Sequence, residues 1–140
     1  MKRIIAVALF AASSILAGQS MSAQSNTVQA KVPFAFTVNN KVVPAGTYTI
    51  SKLNSNAVLI RNWKGHVSMM SLTHNNNDLK RAPRSVLVFA KYGDRYFLHD
   101  IRDTSDAMNL SVVPSKAEKS IQTREAAVRN SSETEVALNK

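Results

Sequence analysis

From Lys31 onward, apolar and polar residues alternate with a period of two. Val32, Phe34, Phe36 and Val38 fall at every second position, and Tyr48 and Ile50 repeat the spacing. That period is the mark of a strand with one buried face. Between these runs stand Asn39-Asn40 and Pro44-Ala45-Gly46. Both are turn chemistry, because Asn and Gly tolerate positive φ and Pro pre-sets φ. Lys31 to Leu53 is therefore predicted to be an opening β-meander, with Phe34, Phe36, Tyr48 and Ile50 as scaffold. Ser25 to Ala30 reads as a polar lead-in. Farther along, Ala57 to Asn62 sets Val58 and Ile60 against Ala57, Leu59 and Arg61, and Trp63-Lys64-Gly65 turns the chain. His66 to Thr73 reads as another strand, with Val67 and Met69 opposed to Met70 and Leu72. Apolar residues on both faces predict strands covered on both sides, or a small, tightly curved barrel.

The clearest hairpin is Ser85 to Ile101. Gly93-Asp94 between two β-rich runs is a two-residue turn. That turn places Tyr92 opposite Arg95, Lys91 opposite Tyr96, Ala90 opposite Phe97 and Phe89 opposite Leu98. Leu87, Phe89, Tyr96 and Leu98 then share the face predicted to be core, and Val88, Ala90, Phe97 and His99 share the other. His74 to Asp78 reads as a loop, and Arg102 to Asp106 as a polar turn region. Leu110 to Val113 reads as a short strand before Pro114. Ser115-Lys116-Ala117-Glu118 has the form of a capping box. It opens a helix to about Arg129 whose apolar stripe, Ala117, Ile121 and Val128, is thin enough that the helix docks lightly or projects. The tail is polar, although Val136 and Leu138 alternate and offer a last strand. The expectation is one all-β domain over residues 26–114, an antiparallel barrel or sandwich of about six to eight strands. A C-terminal helix (115–130) and a tail (131–140) follow it.

The first residues change the compartment. Lys2 and Arg3 precede an apolar run from Ile4 to Ala12, and small residues follow to Ala23. This is the layout of a secretory signal peptide over residues 1–23, cut between Ser20 and Ser25. The run from Ile4 to Gly18 is shorter than the roughly 20 residues that span a bilayer. Ile15-Leu16-Ala17-Gly18 resembles the approach to a lipoprotein cut, but Gln19 stands where a Cys is needed. The predicted compartment is the periplasm or the extracellular space. Loss of Lys2 and Arg3 leaves sixteen basic residues against nine acidic ones, a charge of about +7 at neutral pH. The chain has no cysteine, so packing alone must hold about 115 residues together.

Three segments together resemble a family of small exported proteins from environmental bacteria of the acidobacterial type. They are Val32-Pro33-Phe34-x-Phe36, Pro44-Ala45-Gly46-x-Tyr48-x-Ile50 and Tyr92-Gly93-Asp94-Arg95-Tyr96-Phe97-Leu98. The resemblance covers Lys31 to about Glu118. It implies a secreted all-β domain and supplies no activity, ligand or functional residue.

Candidate chemistry is sparse. His66, His74, His99, Asp100, Asp103 and Asp106 have no metal-motif spacing, and the three aspartates read as surface and turn carboxylates neutralised by Arg95 and Arg102. There is no nucleophile elbow, phosphate loop or dinucleotide motif. No catalytic set, cofactor or metal is predicted. The charge excess carries the expectation instead. A positive face of Arg61, Lys64, Lys80, Arg81, Arg84 and Arg95 would contact an anionic envelope polymer or lipid headgroups. For the segment Lys80 to Arg84, the competing reading is a solvated loop that keeps a sheet edge from pairing. Other readings are a barrel with an apolar cavity for a lipophilic ligand and a hydrolase with an unrecognised site. A single-stranded nucleic-acid binder would stack bases on Trp63, Tyr92 and Tyr96, near Arg61, Lys64, Lys91 and Arg95, but export argues against it. Strand runs of five to eight residues argue against a membrane-spanning barrel.

Overall fold

The computed structural model describes residues 26–77, 83–104, 107–125 and 131–139. The elements are β1 (Thr27–Val32), β2 (Phe36–Val38), β3 (Lys41–Val43), β4 (Gly46–Asn54), β5 (Ala57–Asn62), β6 (Val67–Asn75), β7 (Val86–Tyr92), β8 (Arg95–Arg102), β9 (Leu110–Val112), α1 (Lys116–Glu125) and β10 (Ser131–Asn139). Eight strands close an antiparallel barrel in the order β1-β4-β5-β6-β9-β8-β7-β10. The predicted leader lies outside the described residues, as do Lys80, Arg81, Asp106 and the end of the predicted helix with Val128.

The opening stretch is more divided than its alternation suggests. Pro33 has no amide to donate, and the regular run breaks there into β1 and β2. The polar lead-in is β1 itself, with Val28, Ala30 and Val32 buried and Gln29 and Lys31 exposed. Nor is the stretch a simple meander, because β4 pairs with β1 along its length and not with β3. The β2–β3 hairpin is an excursion between two paired strands. Its Asn39-Asn40 turn has φ of 49° and 63°, the two positive values of a type I′ turn. β2 runs parallel to β8 at Thr37 and Phe97, and β9 takes the other half of that edge at Asp100 and Ile101. Asn39 spans to β6, its Nδ2 donating to the Met70 carbonyl and its Oδ1 accepting from Ser71 Oγ at 3.4 Å. Two short strands, end to end, thus fill the seam between β8 and β6.

Inward side chains fill the barrel. Phe36, Tyr48, Ile50, Ile60, Leu87, Phe89, Ile101, Met108 and Leu110 are fully buried in one cluster. Phe36 meets Tyr48 and Phe89 edge-on at 5.0 and 5.2 Å. Eight strands leave an interior just wide enough for such a core. An apolar inside and a largely polar outside is the reverse of a membrane-spanning barrel with a polar lumen, and no helix among the described residues is long and apolar enough to cross a membrane.

The hairpin β7–β8 has the expected register from Phe89–Leu98 to Tyr92–Arg95. Gly93 alone carries positive φ, 57°, as a type II′ turn requires. Beyond Leu98 the pairing jumps from Phe89–Leu98 to Val88–Asp100, so His99 is an extra, unpaired residue. This bulge turns Asp100 to the outer face and Ile101 inward. The outer face of β7–β8 is also buried, with Ala90, Tyr92 and Phe97 packed under Ile121 of α1. The helix is fixed at its start as well as its side. Ser115 Oγ accepts from the Glu118 amide at 3.2 Å, and Asn40 of the distant β2–β3 turn accepts from the Ala117 amide at 2.9 Å. Two of the orphan amides of the first turn are thereby satisfied.

The Pro-Ala-Gly-x-Tyr segment has a local physical cause. Tyr48 OH donates to the Pro44 carbonyl at 2.6 Å, folding the segment back on itself. Gly46 leaves room for Asn62, whose Nδ2 would stand 2.6 Å from a Cβ there. Asn62 cannot swing away, because its Oδ1 holds the Gly65 amide at 2.9 Å and the residue is buried. Gly46→Ala is expected to cost about 2 kcal/mol by overpacking. Adding Asn62→Ala should recover part of that loss in a double-mutant cycle of urea unfolding; strictly additive costs would show that Asn62 is not the obstacle.

Candidate functional site

Residues 26–77 carry Lys31, Lys41, Lys52, Arg61 and Lys64 and no Asp or Glu; Asp78 is the first acid of the chain. The half of the barrel built by β1 to β6 therefore has no carboxylate to neutralise its cations. At the end of that half is the β5–β6 turn, Trp63 to His66. His66 closes it with φ of 51°, a left-handed conformation that His adopts more readily than β-branched residues do. Asn62, gripped between Gly46 and Gly65, ties the turn to the barrel wall. Trp63 projects from it, 72% exposed. The Arg61 guanidinium lies 5.4 Å from the Trp63 ring centroid, and Lys64 follows on the same turn. Arg61, Trp63, His66, Val67 and Ser68 line a shallow groove.

The residues of the expected positive face are distributed unevenly. Arg61 and Lys64 share the Trp63 turn. Arg95 begins β8 at the same end of the barrel, its guanidinium 5.3 Å from the Phe97 ring on the wall that α1 covers. Arg84 precedes β7 at the opposite end and faces Glu135 at 3.7 Å. Of the three aromatic residues considered for base stacking, only Trp63 is open. Tyr96 points inward and stacks on Phe34 at 4.0 Å, and Tyr92 is buried with its OH accepting from Gln122 at 2.8 Å.

A second cluster lies beneath the start of α1. Asp100 is 2% exposed and accepts from Ser111 Oγ at 2.7 Å and from Arg102 Nη2 at 3.0 Å. His99 Nδ1 stands 3.4 Å from the same carboxylate. Asn76 Nδ2 donates to Ser111 Oγ at 3.0 Å. Burial alone would raise the Asp100 pKa, but His99 beside it and the bonds from Ser111 and Arg102 outweigh it and hold the carboxyl at about 2. The Asp100 contact raises His99 against the effect of burial. Glu118, 3% exposed, is raised by burial, with His99 and the Ser115 amide opposing. Asp100 and Asp103 are thus interior groups and not the expected surface carboxylates. Ser85 Oγ donates to Asp103, and Asn109 Oδ1 accepts from its amide at 3.0 Å. Ser111 bonds Asp100 and not His99, so these three side chains do not form a nucleophilic triad. Among the described residues no group of three His, Asp or Glu side chains is placed to hold a metal ion.

One set of exposed residues had a sequence signal that pointed elsewhere. Met70 and Leu72 stand on the outer face of β6, alternating with buried Ser71 and Thr73. Their pattern reads as a strand covered on both sides, and the structure leaves them open. Comparison with family models, with curated proteins and with solved structures finds no match to this chain.

Proposed function

We propose that this is an exported, non-enzymatic barrel that binds anionic envelope material, belonging with the small secreted bacterial proteins that its Val-Pro-Phe, Pro-Ala-Gly-x-Tyr and Tyr-Gly-Asp-Arg segments resemble. The observation that carries the reading is the charge segregation. A wall of the barrel from β1 to β6 holds five cations and no carboxylate, and its Trp63 turn presents Arg61 and Lys64 beside an open aromatic ring. Such a surface attracts anions over about a Debye length and lacks internal counter-charges to quench it. The leader supplies the address. Nothing in the filled interior favours a lipophilic ligand held inside the barrel.

The test is binding to dextran sulfate, with neutral dextran as control, from 20 to 500 mM salt. Affinity for the sulfated polymer is expected to fall at least tenfold over that range, as screening shortens the reach of exposed charges. Arg61→Ala with Lys64→Ala should weaken it several-fold at low salt. Equal affinity for neutral dextran, or affinity independent of salt, would overturn the reading.

A further inference from the structure

Six large apolar side chains are strongly exposed among the described residues, and five of them gather on one wall. Met70 (55%) and Leu72 (58%) project from β6, and Trp63 (72%) stands at the end of β5. Val42 (61%) belongs to the hairpin that Asn39 ties to the Met70 carbonyl, and Val113 (40%) donates its amide to the Leu72 carbonyl at 3.0 Å. Leu59, half-buried, pairs with Met70 across the strands and joins the group. Exposed apolar side chains grouped on one wall inside a polar rim mark interaction sites in soluble proteins. The rim is cationic: Arg61 and Lys64 beside Trp63, and Lys41 beside Val42. No acid occurs in any of the strands β3, β5 and β6.

We infer that this wall docks flat on an anionic lipid surface, with Trp63 as its interfacial anchor. The inference rests on the anionic-partner reading above and narrows it to a bilayer. Charge complementarity selects the occupant. A second copy of the same wall would bring Arg61, Lys64 and Lys41 against their own kind with no carboxylate to meet them. A soluble polyanion would engage the cations and leave Val42, Met70 and Leu72 in water. A bilayer with acidic headgroups covers both components at once. The aliphatic side chains enter the acyl boundary, the amphipathic indole sits at headgroup level, and the long cationic stems reach back to phosphates. Each basic residue near such a surface adds about 1 kcal/mol of attraction, so three of them with a few apolar side chains give reversible, peripheral binding. The barrel core stays closed, because none of these side chains is needed to fill it.

Trp63 is the chain's only tryptophan, so its emission reports on this wall alone. The experiment uses the processed protein, isolated after export, with vesicles of phosphatidylglycerol and phosphatidylcholine mixed or of phosphatidylcholine alone. With the anionic vesicles, emission is expected to shift to the blue and to be quenched by lipids brominated on the acyl chain. Phosphatidylcholine alone should give neither. Dextran sulfate should bind without a comparable blue shift. In co-sedimentation, Trp63→Ser, and separately Met70→Ser with Leu72→Ser, should weaken binding to anionic vesicles at least tenfold, and the Met70–Leu72 variant should leave dextran sulfate affinity within twofold. Circular dichroism confirms that these surface variants keep the barrel. Vesicle binding with Trp63 emission unmoved, or with both variants binding like the parent, would overturn the docking inference while the polyanion result stands. A blue shift that grows with protein concentration in the absence of lipid would assign the wall to contact between copies. Loss of binding to vesicles and to dextran sulfate alike removes the anionic-partner reading itself.

Discussion

A chain that stops at Asn130 is expected to lose the barrel altogether, not merely a frayed end. β10 is the stave between β7 and β1. It pairs with β7 from Ser131–Tyr92 to Ala137–Val86 and with β1 at Ala30–Leu138 and Gln29–Asn139. Val136 and Leu138 pack against the core cluster. Removing β10 takes away a full ladder on each side and opens the edges of β1 and β7, beneath which lie Ala30, Leu87 and Phe89. Each apolar side chain lost from a core contributes about 2 kcal/mol, and each backbone bond about 1 kcal/mol. Together they approach the whole stability of a domain of this size, about 5–15 kcal/mol. The truncated chain should show no cooperative melt, should bind a hydrophobic dye, and should aggregate through its open edges. A separate peptide of residues 131–140 should restore part of the transition by adding back the missing strand. A truncated chain that melts within a few degrees of the parent would show that the barrel does not depend on its tenth strand.

That strand also marks where sequence stops being informative. Glu133, Glu135 and Ala137 face outward and Thr134, Val136 and Leu138 face inward, so only two strongly apolar residues advertise a strand that closes the fold. Its position depends on long-range pairing with β7 and β1, which composition does not encode. β1 is similarly quiet, since Val28 and Ala30 alternate with Gln29 and Lys31 over few residues. By contrast, Gly93-Asp94 and the β-branched and aromatic runs around it specify a register pair by pair, because turn type fixes which residues face each other. The capping box at Ser115 was legible for the same local reason. The bulge at His99 was not, and it alone decides that Asp100 lies on the outer face. At the candidate surface, Arg61, Lys64 and Trp63 were visible as residue types near a turn. That Arg84 stands at the other end of the barrel, and that Met70 and Leu72 lack a cover, follows from topology.

The buried cluster under α1 gives the other large effect, and its sign depends on pH. Asp100 has its pKa lowered from 3.8 to about 2, so its stabilisation is complete above the ordinary carboxylate range and is lost as pH falls toward 2. At about 1.4 kcal/mol per unit this is worth about 2 kcal/mol. His99 and Glu118 are both raised. Their contributions are present below their ordinary values, 6.5 and 4.5, and are lost as pH rises through the folded ones. Glu133, on the neighbouring β10, adds to the charge facing His99. The parent protein should therefore be most stable in acidic solution, at about pH 4 to 5, with its melting temperature falling on both sides. Asp100→Ala removes the acceptor shared by Ser111 and Arg102 and the counter-charge of His99, and leaves two cations at a buried wall. Breaking a buried pair from one side costs about 3 kcal/mol, a fall of roughly 10 °C in melting temperature at pH 5 for a domain of this length. The acid limb of the profile should flatten, because the group that titrates there is gone. His99, measured by the pH dependence of its ring proton resonances, should move down, since Asp100 is the main cause of its elevation. The cluster would have no such role if the variant kept the parent's acid limb and its His99 titration. Its link to α1 runs through His99, whose charge and that of Glu118 act on each other, while Ile121 over Ala90, Tyr92 and Phe97 and the Gln122–Tyr92 bond seat a helix with so thin an apolar stripe.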